Sequence, residues 1–289
     1  MRFLRSEIFR LVRRRMLWVL FLFIAVLPPA LYLLIYTSTK AQVEAIRSGR
    51  IDAPNAQQQL RQMEELLTTL RPDRLPDMAM GLVFPIATIL VLVLAGNTTG
   101  NEFGWATIRT VLTHGGRRAA FIGAKLAALA LAAVAFVVAG FLAALLGSVV
   151  VGIMSGADLS LSGDFAGRLL VNAGKVTYVT LPYLAFAAMV AVLARSAAAA
   201  IGFGMVLFFG ESVISGIAIS LNRDLRALFD AGISRNVSTI TRASVVTQGA
   251  SPPPLPADVP ISWLILGLYI VAFVAIAIHR ISKRDLTLA

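Results

Sequence analysis

The sequence contains no cysteine, which excludes disulfides, thiolate chemistry and cysteine-ligated zinc or iron–sulfur sites. Its two histidines, His114 and His279, lie far apart in the chain and argue against a histidine-based metal site. The G-x-x-x-x-G-K-[ST], H-E-x-x-H and G-x-S-x-G motifs are all absent, so the sequence encodes no phosphate cradle and none of these catalytic arrangements. We therefore predict that the chain is not an enzyme and that it binds no cofactor itself.

Charge is also scarce, whereas long apolar runs are abundant. Only 14% of the 289 residues are charged, against roughly a quarter in soluble domains, and the mean hydropathy is +0.81. Six apolar runs approach the length of about 20 residues that a helix needs to cross a bilayer. The sequence predicts an all-α integral membrane protein with a single transmembrane domain over residues 1–289. Its six transmembrane helices are predicted at residues 16–36, 78–96, 126–153, 176–194, 197–221 and 261–278.

The distribution of charge predicts which side each loop occupies. With a cytoplasmic N-terminus, the inner segments carry 14 basic and three acidic residues, and the outer segments carry 12 basic and 11 acidic residues. This asymmetry follows the positive-inside rule and places both termini in the cytoplasm. The net charge of +11 is then explained by membrane lipid headgroups, and no nucleic-acid partner is required. Of the 26 basic residues, 22 are arginine, which is typical of a GC-rich bacterial genome.

The outer loops are predicted at residues 37–77, 154–175 and 222–260. In the first, Asn55 is a candidate cap for a short amphipathic helix, whose apolar positions recur at helical spacing: Leu60, Met63, Leu67 and Leu70. Pro28-Pro29 is expected to kink or break the outer half of the first span. The arginine-rich stretch Arg2 to Arg15 predicts an amphipathic helix on the inner leaflet, where it either leads into the first span or only sets the topology.

The inner loop between spans two and three, residues 97–118, carries the most informative pattern. Thr99 and Glu102 have capping-box spacing, which predicts the start of a new helix. One apolar stripe follows at helical spacing, formed by Trp105, Ile108 and Leu112. Gly115-Gly116 is expected to end this helix. The residues alone leave two interpretations open, a helix that anchors to lipid and a helix that contacts a partner.

The same run resembles the signature of ABC type-2 permeases. The matching residues are Glu102-Phe-Gly-Trp-Ala-Thr107-Ile-Arg109-Thr-Val-Leu112, then Gly115-Gly-Arg-Arg118 and Lys125, although Ala106 and Gly116 stand where the family usually has Gly and Ser. The resemblance covers most of the chain, including the basic N-terminus, the order of the six spans, the Ala194-Arg195-Ser196 turn and the Arg284-Asp285 end.

The resemblance implies an exporter subunit in the bacterial cytoplasmic membrane. The N-terminal helix would be an elbow helix, and the inner loop would be a cytoplasmic coupling helix seated on a separate ATPase subunit. Its contact residues would be Glu102, Trp105, Thr107, Ile108, Arg109, Leu112 and Arg117. The implied partners are two ABC ATPase subunits that bind ATP and magnesium, and a second copy of this permease or a paralogous one. Drugs, peptides, lipids and polysaccharide precursors all stay open as cargo.

Glu211 is predicted near the middle of span five, where a carboxylate costs at least about 2.5 kcal/mol. It either lines the translocation path or pairs with a neighbouring helix, for instance through Ser212 or a backbone carbonyl. An alternative function, a self-contained ion-coupled transporter or channel, would depend on Glu211. A membrane enzyme acting on lipids has less support, since no paired acids or nucleophile lie at a suitable depth.

Overall fold

The computed structural model describes residues 2–50, 55–104, 118–156, 159–222, 229–242 and 258–283, and these residues contain no strand. We number their α-helices in chain order: α1 Arg2–Arg13, α2 Arg15–Arg47, α3 Ala56–Thr69, α4 Leu75–Gly104, α5 Arg118–Ser155, α6 Phe165–Ala194, α7 Ala197–Met205, α8 Glu211–Leu221, α9 Ile233–Arg242 and α10 Asp258–Lys283. A 3₁₀ turn, Pro72–Arg74, precedes α4, and a π-helical turn, Val206–Gly210, joins α7 to α8.

Six helical segments of the described chain are long and apolar enough to cross a membrane. They are Arg15–Arg47, Pro72–Asn101, Ala120–Ser155, Phe165–Ala194, Ala197–Ala218 and Asp258–Ile281, and we call them spans one to six. The described residues therefore confirm the coarser prediction of an all-helical chain with six helices long and apolar enough to cross a membrane. Several helices continue well past their apolar runs: α2, for example, has 33 residues and a length of about 50 Å.

Contacts divide the chain into two compact units, and the first covers residues 21–85 and 136–174. Here the predicted break in span one is wrong, because α2 runs through Pro28 and Pro29 without interruption. Proline is tolerated in spanning helices where neighbouring helices support the backbone. The neighbour is α5, since a Cβ added to Gly147 would lie 2.7 Å from the Cα of Pro29.

Polar contacts join other helix ends of this unit. Arg168 of α6 forms an ion pair with Asp77 of α4 at 3.5 Å, and the buried Asn172 donates to the carbonyl of Pro76 at 3.0 Å. The predicted helix after Asn55 is confirmed as α3. Asn55 occupies the predicted N-cap position with φ of 64°, but its side chain makes no capping hydrogen bond.

The second unit covers residues 1–20, 86–135 and 175–289. In it α4 and α7 touch backbone to backbone: a Cβ added to Gly100 would lie 2.5 Å from the Cα of Ala197, and one added to Gly96 would lie 3.3 Å from the Cβ of Ala200. Glycines four residues apart on one helix permit such an approach between spans. The predicted turn between spans four and five is confirmed, and Ser196 caps α7 by accepting the backbone N–H of Ala199 at 3.2 Å.

Candidate functional site

The predicted coupling segment follows α4, which carries Glu102 in its last turn, and precedes α5, which begins at Arg118. The other predicted contact residues lie outside the described residues: Trp105, Thr107, Ile108, Arg109, Leu112 and Arg117. The structure therefore defines the two helices that bound this segment.

The capping box predicted at Thr99 and Glu102 is wrong, because both residues lie inside the continuous helix α4. Polar side chains near its end bond within the helix: Thr98 Oγ1 donates to the carbonyl of Leu94 at 2.6 Å, and Asn101 Nδ2 donates to Asn97 Oδ1 at 3.1 Å. Thr99 itself is buried, and its hydroxyl has no hydrogen-bond partner in the part of the chain that the structure describes. The helix of the second span thus extends to Gly104 instead of giving way to a new helix at Thr99.

At the start of α5, a buried ion pair links the third span to the N-terminal helix. Lys125 Nζ lies 3.3 Å from Glu7 Oε2 of α1, and the two side chains are only 5% and 4% exposed. Arg10, one turn further along α1, contacts the other carboxylate oxygen of Glu7 at 3.1 Å. Lys125 also lies over the ring of Phe121, 5.7 Å from its centroid. This pair therefore fixes α1 against the first turns of α5, directly after the predicted coupling segment.

An apolar cluster surrounds the same end of α5. Phe121 and Ile122 pack with buried residues from the end of α6 and the end of α10: Met189, Val192, Ala277 and Ile281. Burial of these side chains is the main favourable term that keeps the three helix ends together. A displacement of the first turn of α5 would therefore be resisted by, or transmitted to, α6 and α10.

The N-terminal helix has one buried and one exposed side. Leu11 shares the buried side with Glu7, whereas Phe9 and Val12 are about half exposed. The guanidinium of Arg13 lies 4.2 Å from the centre of the Phe9 ring. The predicted amphipathic helix is thus present, but its buried side contains a carboxylate that the sequence interpretation did not single out.

Glu211, the other predicted site residue, lies directly after the π-helical turn in the fifth span. The backbone N–H groups of Ile233 and Ser234 and the Ser234 side chain lie near its carboxylate, whose Oε2 is buried without a hydrogen-bond partner among the described residues. A Cβ added to Gly232 would clash with Glu211 Oε1. The carboxylate thus meets the first turn of α9, a helix that was not predicted inside the 222–260 loop. Ser212, one of the suggested partners for helix pairing, donates instead to the carbonyl of Phe209 at 3.1 Å.

The sequence offered a signal for both of the missed partners. Glu7 is the only acidic residue before Glu44, among six arginines, and a lone acid in such a run invites a search for a buried cation. For α9, the apolar residues Ile233, Val237 and Ile240 recur at helical spacing, and all three are buried.

Comparison with known proteins identifies a family for most of the chain. No curated protein matches it. Residues 72–287, which comprise spans two to six and the predicted coupling segment, match the family described as "Protein of unknown function (DUF2705)". Since this match covers about three quarters of the sequence, the chain belongs to the DUF2705 family.

Proposed function

We propose that this protein is the membrane-spanning permease subunit of an ATP-binding-cassette exporter. It would lie in the bacterial cytoplasmic membrane with both termini in the cytoplasm and would move its cargo by alternating access. Two separate ATPase subunits would bind ATP and magnesium and supply the energy, and a second copy of the chain or a paralogous permease would complete the assembly. The observation that carries the proposal is the run from Glu102 to Arg118 between spans two and three, in a chain with six helices able to span a membrane.

The contacts at the start of α5 support a mechanical role for that run. A force applied to residues 105–117 would act directly on α5, because α5 begins at Arg118. The Glu7–Lys125 pair would carry the movement to α1, and the cluster around Phe121 would carry it to α6 and α10. Closure of the ATPase subunits could thus act on four helices through one short segment.

The direct test is recruitment of an ATPase subunit by the tagged chain in mild detergent. Wild-type protein is expected to co-purify with an ATP-binding-cassette ATPase encoded by a neighbouring gene. Arg109→Glu is expected to lose it, because the substitution reverses a charge in the predicted contact surface. Arg61→Glu, on the exposed side of α3, is the matched control and should retain the ATPase. If wild type and Arg61→Glu recover no ATPase, or Arg109→Glu retains it, the proposal is refuted.

The membrane side of the segment can be tested separately, because the chain has no native cysteine. Arg109→Cys should react with a membrane-impermeant maleimide only from the cytoplasmic side. Glu65→Cys, on the exposed surface of α3, should react only from the opposite side. Reaction of both cysteines from the same side would contradict the proposed topology.

The contacts of Glu211 do not favour the alternative of a self-contained ion-coupled transporter or channel. Glu211 Oε1 lies against the turn that precedes α9, and this contact within the protein gives a structural reason for an acidic residue at this position in the span. We therefore advance the exporter function alone.

A further inference from the structure

A cavity of about 330 Å³ lies in the second unit, between α9 with its preceding turn and the start of α10. This volume is at the lower end of the range for small-molecule sites. The wall residues from α10 recur at helical spacing, so they form one face of its first two turns. The polar side chains of the wall are Asp230, Arg235, Asn236, Thr239, Asp258 and Ser262, and its apolar part consists of Ile261 and Ile265.

Hydrogen bonds fix the turn that precedes α9 and forms part of this wall. Asn236 Nδ2 donates to the carbonyls of Asp230 and Gly232, at 3.1 and 2.7 Å. Tyr269 of α10 donates its hydroxyl to the carbonyl of Ala231 at 3.2 Å. Because the amide nitrogen of Asn236 serves both carbonyls, its Oδ1 stays available as an acceptor. The wall is therefore held in place by the protein itself.

Ser262 points to a ligand in this cavity. The residue is only 2% exposed and lines the cavity, yet its hydroxyl makes no hydrogen bond with the described residues. A buried hydroxyl without a partner is costly, and in native proteins such groups are almost always satisfied by the protein or by a bound molecule. The Ser262 hydroxyl therefore indicates that a polar group occupies the space beside it.

The charges of the wall favour a cation. Arg235 Nε lies 2.8 Å from Asp230 Oδ1, so these two side chains neutralise each other. Asp258 is exposed and forms no ion pair with the described part of the chain, which leaves one negative charge in excess. This excess outweighs the partial positive charge, about half an elementary charge, at the start of a helix such as α10. A metal ion fits less well, because the described residues contain no group of three or more acids or histidines able to hold one.

A primary ammonium group matches the wall in charge and in hydrogen bonding. It carries one positive charge and three N–H donors. The wall offers acceptors of three kinds: the Asp258 carboxylate, the Ser262 hydroxyl and Asn236 Oδ1. A quaternary ammonium group has the same charge but no N–H donor, so it would leave all three without a hydrogen bond.

We propose that this cavity binds a primary ammonium group, carried either by the ethanolamine headgroup of a lipid or by a free amine. Its position suits a lipid headgroup, because Asp258 begins span six and Ile265 lies seven residues, or about 10 Å, further along. Ile261, at 55% exposed, presents an apolar surface at the same end of the span. The proposal goes beyond the exporter function and does not depend on it, since this chain alone forms the cavity.

The lipid source is tested with the full chain in nanodiscs that contain equal amounts of phosphatidylethanolamine and phosphatidylcholine. With identical acyl chains, these lipids differ only in methylation of the headgroup nitrogen. Native mass spectrometry after gentle release should find the ethanolamine lipid retained at least about fivefold over the choline lipid, the effect of roughly one hydrogen bond. Asp258→Asn should remove most of this preference, and Ser262→Ala, which keeps the charge, should weaken it less. Glu65→Gln, which neutralises an exposed acid on α3, is the matched control and should retain it.

The free amine is tested with the same variants in nanodiscs of phosphatidylcholine alone. Ethanolamine, at equal ionic strength, should then raise the Tm of the wild type more than choline does, because a ligand that binds only the folded state stabilises it. A preference for the ethanolamine group in the lipid experiment alone identifies a lipid headgroup, and a preference in the second experiment shows that a free amine is accepted. No preference in either experiment would overturn the proposal. So would a preference that survives unchanged in whichever of Asp258→Asn and Ser262→Ala folds.

Discussion

The buried pair between Glu7 and Lys125 gives the sharpest quantitative prediction. Both side chains are about 95% buried, so solvent screens their attraction far less than at the surface. Removing one partner of such a pair costs about 3–5 kcal/mol, because the other charge stays buried without compensation. We expect Glu7→Leu to fall in this range, since it removes the carboxylate that both Lys125 and Arg10 contact. Lys125→Met should cost less, because Arg10 still contacts Glu7 at 3.1 Å.

The double variant Glu7→Leu/Lys125→Met distinguishes pairing from simple side-chain loss. Replacing a buried ion pair by apolar residues of similar volume is often neutral or stabilising. We therefore expect the double variant to be more stable than Glu7→Leu alone, with a coupling free energy of about 2 kcal/mol or more. The assay is equilibrium unfolding of the purified protein in detergent micelles, followed by tryptophan fluorescence and by monodispersity on gel filtration.

Two further measurements make this prediction refutable. The exposed pair between Arg47 and Glu64, with side chains 62% and 49% exposed, is the control, and Glu64→Gln should cost no more than about 1 kcal/mol. Leu11→Cys reports locally on the docking of α1, because Leu11 is buried beside Glu7. It should react faster with maleimide in the Glu7→Leu background. If the two single effects simply add, and Leu11→Cys stays protected, the pair does not hold α1.

Four further substitutions test the packing of the second unit, each by the same unfolding measurement. Gly100→Val should be strongly destabilising, by about 3 kcal/mol or more, because its Cβ meets the backbone of Ala197, whereas Gly202→Val has open space and should change stability little. Ser196→Ala should cost about 1 kcal/mol through loss of the α7 cap. Thr88→Val should cost less than about 1 kcal/mol, since its partner Thr180 still donates to the carbonyl of Val176.

The six apolar helices could be predicted because bilayer thickness imposes a minimum length on an apolar run. The length of such a run can be read from the sequence alone. Helix ends were less predictable. The Thr99–Glu102 pattern is typical of a helix start, yet a helix already under way needs no cap, and α4 continues through both residues. Pro28-Pro29 failed as a predicted break for a related reason, because the outcome there depends on another helix, α5, which packs closely against Pro29 at Gly147.

Interruption of span five was also invisible in the sequence. A π-helical turn adds one residue to a helical turn and rotates everything that follows, and the run from Val206 to Gly210 contains nothing unusual in composition. Its consequence is nevertheless large, because Glu211 follows it directly. This rotation decides which neighbour the Glu211 carboxylate faces. The order of residues therefore could not show whether Glu211 lines the translocation path or pairs with a neighbouring helix.

Glu7 and Glu211 show how much a single sequence can say about buried acidic residues. Each is an acid where local context disfavours one: Glu7 lies among arginines, and Glu211 lies in an apolar run. The sequence analysis gave pairing as one of two interpretations of Glu211 and did not single out Glu7, although an uncompensated buried carboxylate is costly at either position. The partners are 118 residues away for Glu7 and just over 20 for Glu211, on helices that meet only after folding. An isolated acid therefore marks a tertiary contact reliably, while the identity of its partner belongs to the three-dimensional structure.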